Sequence, residues 1–371
     1  MTLTLILLLV SRTLHNLPLL DIKGGNLFGN PWHRGNLTED LKGRICYASS
    51  PKIKDQIDLG CETNDFELFQ NVDFTNASYY MEYLGFKNYS DCSVKQRPFV
   101  PDVPVIVSGA SSNHYEEAVA MCNNLNSTLR KKYTDMKLII FDLGIGDSDR
   151  RDILKKYCGC EIRKFPFSSF PRHVKNVKGY TWKPLIISLM LKEFSFIMWI
   201  DTSIRFDLNK PTYPLFKKAQ ICQIQQLMEP DWALVETCDI KTMEFLKQNI
   251  TDFMNTTDVE AGWAVYLRSE FFIERILKPW VSCALTYGCM LTDTYSYAVG
   301  CNRPKPNVRT PGLCHRFEQS VMGIILAKLY KEKLDNVLFG EKIYGDVQRG
   351  HSMAIPEDFL QKFHKITVPS R

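Results

Sequence analysis

The sequence predicts an α/β protein: a mostly parallel central sheet with helices on both faces, preceded by an irregular, disulfide-tied N-terminal region. Three observations point there. From residue 105 onward, short and almost wholly apolar runs alternate with segments of helical period. Residues 21–100 hold neither period for long, yet carry three cysteines and three glycosylation sequons. Of the 371 residues 45% are hydrophobic, enough to bury a large core and to exclude a disordered or low-complexity chain.

The elements follow in order. Residues 1–20 contain the eight-residue apolar run 3–10, the size of a signal-peptide core, and are expected to be a secretory signal or the remnant of a signal anchor. Residues 21–100, punctuated by Gly24-Gly25, Asn30-Pro31 and Pro98, read as a stem or cap that closes at 98–104. Residues 101–371 form the main domain. In it, 105–107 is a buried strand ending in Ser108-Gly109-Ala110. A helix over 113–132 places Ala118, Met121, Cys122, Leu125 and Leu129 on one face. Strands at 137–141, 160–167 and 196–200 alternate with helices at 148–157 and 182–194.

Composition narrows the compartment and the partners. The formal charge of +5 on 371 residues, with no basic run, excludes nucleic acid as a partner. No apolar stretch approaches the length of a confident membrane span. Twelve dispersed cysteines lack the paired CxxC spacing of a zinc ribbon and suit disulfides in an oxidising lumen. Sequons at Asn36, Asn76, Asn88, Asn126, Asn249 and Asn255 agree with the secretory pathway. Cys283 and Cys289 are close enough in sequence to bridge locally. Cys46, Cys61 and Cys92 are odd in number, so one should pair into the main domain.

Ligands of parallel sheets bind beyond the carboxyl ends of the strands, so those ends hold the candidate residues. Small side chains in Ser108-Gly109-Ala110 are expected to leave backbone open to a nucleotide. The second strand ends in Asp142-Leu143-Gly144-Ile145-Gly146-Asp147, a glycine loop like that of an S-adenosylmethionine-dependent methyltransferase. It follows the second strand rather than the first, and the third strand lacks the ribose-binding acid. The fourth strand delivers Asp201-Thr202-Ser203. Mg²⁺ or Mn²⁺ takes oxygen ligands and needs few from protein when phosphate supplies the others, which suits Asp201 and Ser203. Lys183, at a helix start, could reach a phosphate with the helix end assisting.

Taken together, Phe141-Asp142-Leu143-Gly144, Phe165-Pro166-Phe167, Trp182-Lys183-Pro184 and Trp199-Ile200-Asp201-Thr202-Ser203 resemble a metazoan family of secretory proteins of uncharacterised function. That family is itself similar to GT-A glycosyltransferases of the glycogenin and galactosyltransferase-like, family-8-like kind. Glu260-Ala261-Gly262-Trp263 resembles their acceptor-side strand, and Glu318-Gln319-Ser320 their Asp-Gln-Ser helix start. The resemblance covers about residues 100 to 345. It implies a GT-A (Rossmann-like) fold for 101–371 and a luminal glycosyltransferase, resident in the Golgi or secreted, that moves a sugar from a nucleotide-sugar donor to a glycan or glycoprotein acceptor. An N-terminal membrane anchor would fit such an enzyme.

Ser108, Gly109, Ala110, Lys183, Asp201 and Gly262 would then bind the donor. Glu260, Glu318 and Gln319 would lie at the transferred sugar, and Asp201, Ser203 and His351 would hold Mn²⁺ or Mg²⁺. Two departures stand out: the expected Asp-x-Asp is Asp201-x-Ser203, and the Asp of Asp-Gln is Glu318. They raise the alternative of a catalytically inactive GT-A-like binding protein; the methyltransferase is the further alternative. On this reading, Asp201→Asn abolishes Mn²⁺-assisted nucleotide binding, measured by titration calorimetry, and leaves folding intact. A merely structural Asp201 would instead lower thermal stability with no selective loss of nucleotide.

Overall fold

The computed structural model describes residues 44–367, apart from 64–67, 94, 296, 298–299 and 305–307. The expected signal at 1–20, the first part of the stem to residue 43, and Asn36 lie outside the described residues. From Gly43 the chain forms one compact unit.

Among the described residues, eleven strands are numbered in chain order. A two-residue parallel pair, β1 (Ile45–Cys46) and β2 (Tyr89–Ser90), precedes the main sheet. That sheet contains β3 (Val105–Ala110), β4 (Leu138–Asp142), β5 (Glu161–Lys164) and β6 (Phe196–Ile200). After the short β7 (Ile204–Phe206) it adds β8 (Ile224–Ala233), β9 (Thr257–Leu267) and β10 (Leu338–Phe339). The spatial order is β10-β8-β9-β6-β3-β4-β5, and only β9 runs against the rest. The last strand, β11 (Gly345–Val347), pairs with β7.

The apolar runs become strands because both of their faces are covered. Val107, Ile139 and Trp199 point into one core; Ile106, Ile140, Met198 and Ile200 point into the other. Helix α1 (Tyr115–Ser127), with Ala118, Met121 and Leu125, and α2 (Ser148–Cys158), with Leu154, fill the second core. The first is filled by α3 (Trp182–Glu193), α4 (Lys278–Leu285) and α5 (Glu318–Tyr330). The predicted α/β class with a mostly parallel sheet is therefore the observed one.

Two predicted elements are shorter than expected, each for a local reason. The helix expected over 113–132 breaks at Thr128, whose hydroxyl bonds the Asn124 carbonyl at 2.6 Å and competes with the helical ladder. The strand expected over 160–167 ends at Lys164, two residues before Pro166, which has no N–H to pair.

Five disulfides form: Cys46–Cys92, Cys61–Cys222, Cys122–Cys158, Cys283–Cys289 and Cys301–Cys314. The local Cys283–Cys289 bridge is present, and Cys61 is the stem cysteine that reaches the main domain. Cys160 and Cys238 are buried thiols. Peptide mapping without reduction should find these five bridges, with the two thiols alkylated only after unfolding. Cys61–Cys222 closes a loop with a sequence separation of 161. Replacing both of its cysteines with Ala should cost about 2–5 kcal/mol in urea denaturation, and an unchanged midpoint would contradict this account of the bridge.

Candidate functional site

The site is assembled at the end of β6. Asp201 follows the last strand residue, and its backbone N–H donates to the Gly262 carbonyl at 2.7 Å. Because β9 runs antiparallel to β6, its first half lies beside that end, with Trp263 opposite Ile200. β9 is bulged between Glu260, opposite Leu227, and Ala264, opposite Gln226, and the irregularity brings Gly262 beside the Glu260 carboxylate.

Lys183 lies under this surface. Its side chain is buried, with the ammonium 3.1 Å from Asp201 Oδ1 and 2.8 Å from Glu318 Oε1, and it donates to the Ala261 carbonyl at 3.2 Å. An ammonium has three donors, and these partners take all three. A cation in the first turn of α3 is disfavoured by the helix dipole and by burial. Burial opposes its charge, yet Asp201 and Glu318 outweigh burial and hold Lys183 above the usual lysine range. The ammonium also sits 5.4 Å from the ring centroid of Trp199 and 5.7 Å from that of Tyr180. In this arrangement the lysine fixes carboxylates from below, with all three donors engaged.

Both helices that supply this cluster begin on strained backbone. Tyr180, just ahead of α3, has φ 53°, and Phe317, just ahead of α5, has φ 49°. Neither is glycine, so each position costs conformational energy that the packing must hold. Their rings contact each other at 6.1 Å between centroids, linking the two helix starts.

Asp201 presents its second oxygen outward. Oδ1 accepts from Trp199 Nε1 at 2.8 Å and from Lys183, which leaves Oδ2 facing Gly262 on a side chain that is 37% exposed. A Cβ at Gly262 would lie 3.4 Å from Asp201 Oδ2 and 3.5 Å from Glu260 Oε1. The bare glycine, itself buried, thus lets two carboxylates approach each other across it. Glu260 is buried, which pushes its carboxyl up to about 7; Arg349 pulls it down, while Glu229, Asp201 and Glu341 push it further up.

A second network braces the turn. Glu117 on α1 accepts from Thr202 Oγ1, from His114 Nδ1 at 3.2 Å and from the Gly350 N–H at 3.0 Å. Burial would raise its carboxyl, but these donors hold it down at about 2. Arg205 donates to the Thr202, Ile204, Glu117 and His351 carbonyls, closing residues 348–351 over β7. The strap enters at Gly345, where a Cβ would strike the Arg205 carbonyl. Arg349 then pairs with Glu260.

Gln319 and Asp258 form a third pair. Gln319 Nε2 donates to Asp258 Oδ2 at 2.9 Å, and Thr237 Oγ1 donates to the same oxygen at 2.6 Å. Burial raises the Asp258 carboxyl to about 6 in spite of these bonds.

Asp201, Lys183, Glu260, Gly262 and Glu318 are brought together as the sequence suggested. The first strand end is not an open cradle. Ser108 and Ala110 are buried, and a Cβ at Gly109 would meet Leu143 at 3.0 Å, Trp182 at 3.3 Å and Trp199 at 3.4 Å. The small residues there admit two tryptophans. Asp142 caps its own loop, accepting from the Gly144 and Ile145 N–H groups.

The metal set does not form either. Ser203 is buried with its carbonyl bonded to the Gln348 N–H, and the His351 ring faces Arg205. Among the described residues, no three His, Cys, Asp or Glu side chains converge on one point that could hold an ion. Ser203 is thus buried and His351 Nδ1 is engaged by Arg205, while Asp201 keeps Oδ2 toward Gly262. Sequence reasoning missed Asp258, Glu117 and Arg349. Asp258 was readable as the residue two before Glu260, and Arg349 as the neighbour of His351, but nothing local marks Glu117 apart from other helical acids.

Comparison with known proteins adds the following. A family described as a protein of unknown function (DUF1647) matches residues 79–188, which include Lys183 and stop short of Asp201. No curated protein matches the chain. Among solved structures, the chain is similar to the galactosyltransferase LgtC, solved with donor and acceptor sugar analogues. Identity is 16% over 47% of this chain and 61% of that one, less than two thirds of its length, with a TM-score of 0.29. It is similar to the mannosyltransferase Ktr4p from S. cerevisiae at 11% identity, over 82% of this chain and 88% of that one, with a TM-score of 0.46. Core-mannan synthase A (CmsA/Ktr4) from Aspergillus fumigatus, in a Mn/GDP form, matches at 8% identity over 85% and 89%, with a TM-score of 0.39.

Two predictions follow from this geometry. Lys183→Met leaves two carboxylates facing a vanished cation and should destabilise the fold by about 3–5 kcal/mol in urea at pH 7. Adding Glu318→Gln should recover part of that loss, and an additive double variant would contradict the ion cluster. The second concerns pH. Glu260 and Asp258 bind protons more tightly folded than unfolded, so their contribution is full below the unfolded carboxyl range and is lost as pH rises through about 6 and 7. Unfolding free energy should fall between pH 4.5 and 7, and Glu260→Gln should flatten that slope.

Proposed function

We propose that this protein transfers a sugar from a nucleotide-sugar donor to a glycan or protein acceptor in the lumen of the secretory pathway, most naturally the Golgi. The observation that carries the reading is the Gly262 notch. Two carboxylates of different character face one opening at the carboxyl end of a parallel sheet, where ligands of such folds bind. Asp201 is pinned from below by Lys183 and Trp199, while buried Glu260 titrates near neutrality. A carboxyl poised near the working pH suits general-base chemistry.

In this scheme Glu260 takes the proton of the acceptor hydroxyl as that oxygen bonds to the sugar carbon. The bond from sugar to diphosphate breaks, and its electron pair leaves with the nucleoside diphosphate. Gln319, held by Asp258, borders the transferred sugar. The motif resemblance set out from the sequence supports the donor class. Five disulfides and five exposed sequon asparagines, Asn76, Asn88, Asn126, Asn249 and Asn255, support the luminal setting. Among the described residues no helix is long and apolar enough to cross a membrane, so an anchor would have to lie elsewhere.

One observation favours a second reading, binding without transfer: Arg349 occupies Glu260. Turnover separates the two. The test is titration calorimetry and release assays with a panel of UDP- and GDP-sugars. Gly262→Ala should weaken nucleotide-sugar binding by roughly tenfold or more, about 1.4 kcal/mol, because the new methyl fills the notch. Its contacts of 3.4 and 3.5 Å are ordinary, so the melting temperature should hold. Undiminished binding by Gly262→Ala would remove the notch from the site.

A further inference from the structure

We propose that this chain neutralises its ligand's diphosphate with the guanidinium of Arg349, and not with a divalent cation. The inference rests on the nucleotide-sugar reading above and concerns how the same site handles charge. Asp201 Oδ2, Glu260, Glu229 and Glu341 all border or act on the notch, so a diphosphate entering it meets carboxylates. Some cation must offset that repulsion.

The two obvious sources are closed. Lys183 has its three donors on Asp201, Glu318 and the Ala261 carbonyl. The expected metal ligands do not converge, since Ser203 is buried and the His351 ring is turned onto Arg205. Arg349 remains. It pairs through Nη2 with Glu260, the carboxylate across Gly262 from Asp201, and its side chain is 66% exposed. One guanidinium carries five N–H donors in a planar fork, so a single contact to Glu260 leaves others for phosphate oxygens.

The strap is built to hold Arg349 there. Gln348 donates to the Ser203 carbonyl at 2.8 Å, and Gly350 donates to Glu117 Oε1 at 3.0 Å. These bonds fix the backbone on either side of Arg349 to the turn that carries Asp201. A guanidinium aimed at developing negative charge does the electrostatic work that a metal does in other phosphate-handling sites. Arg is suited to it by its two-point geometry and permanent charge.

The test measures UDP and GDP affinity of the full chain by titration calorimetry, in EDTA and in Mn²⁺. The expected result is the same affinity in both buffers, a loss of roughly tenfold or more in Arg349→Ala that Mn²⁺ does not restore, and partial retention in Arg349→Lys. Arg349→Lys keeps a cation beside buried Glu260 and should keep the melting temperature, and a binding loss in either variant at temperatures well below its melting transition reports the site. Binding that requires Mn²⁺, or that survives Arg349→Ala, overturns this inference and leaves the nucleotide-sugar reading standing. A wild-type chain that binds neither nucleotide in either buffer overturns both.

Discussion

A single ammonium group, that of Lys183, sets the arrangement of everything around the notch. It is buried in the first turn of a helix, where both dipole and desolvation oppose its charge, and it is held by Asp201 and Glu318 from two other elements. Those two contacts fasten the end of β6 to the start of α5 through α3. They orient Asp201 so that one oxygen faces inward and the other faces Gly262. Backbone strain at Tyr180 and Phe317 is tolerated because the same cluster and the ring contact between them over-determine both helix starts.

Residues distant in sequence meet here for topological reasons. The antiparallel direction of β9 carries Glu260 to the carboxyl end of β6, which a parallel strand at that place would not do. Pairing of β11 with β7 then lays residues 348–351 across the turn after Asp201. Three charges from three chain segments, Asp201, Glu260 and Arg349, share one opening. Burial, with Asp201 adding to it, lifts Glu260 toward neutrality against the pull of Arg349 and makes it the group there best suited to exchange a proton.

Much of this could be read from the chain. The apolar runs at 105–107 and 196–200 read as buried strands because they are short, rich in β-branched or aromatic residues and flanked by turn residues. Trp199-Ile200-Asp201 therefore placed Asp201 at a strand end, and Glu260-Ala261-Gly262 placed a carboxylate two residues from a glycine. What the chain could not reveal was the direction of side chains. Lys183 looks like a phosphate ligand until its three donors are counted, and Ser108-Gly109-Ala110 looks like an open cradle until Trp182 and Trp199 are seen against it. Ser203 and His351 sit close to Asp201 in sequence or in the strap, yet hydrogen bonds turn one inward and the other to Arg205. Such choices are made by tertiary packing, which periodicity does not encode.

The central claim is that a nucleotide sugar is held over the Gly262 notch between Asp201, Glu260 and the strap. Hydrogen–deuterium exchange with and without a bound UDP- or GDP-sugar tests it most directly, because it reads the location of the ligand without assuming a reaction. The account predicts added protection in peptides spanning 199–203, 258–263 and 345–351, with little change at the self-capped loop 142–147. Protection confined to that loop, or to the N-terminal segment, with the notch peptides unchanged, would contradict it.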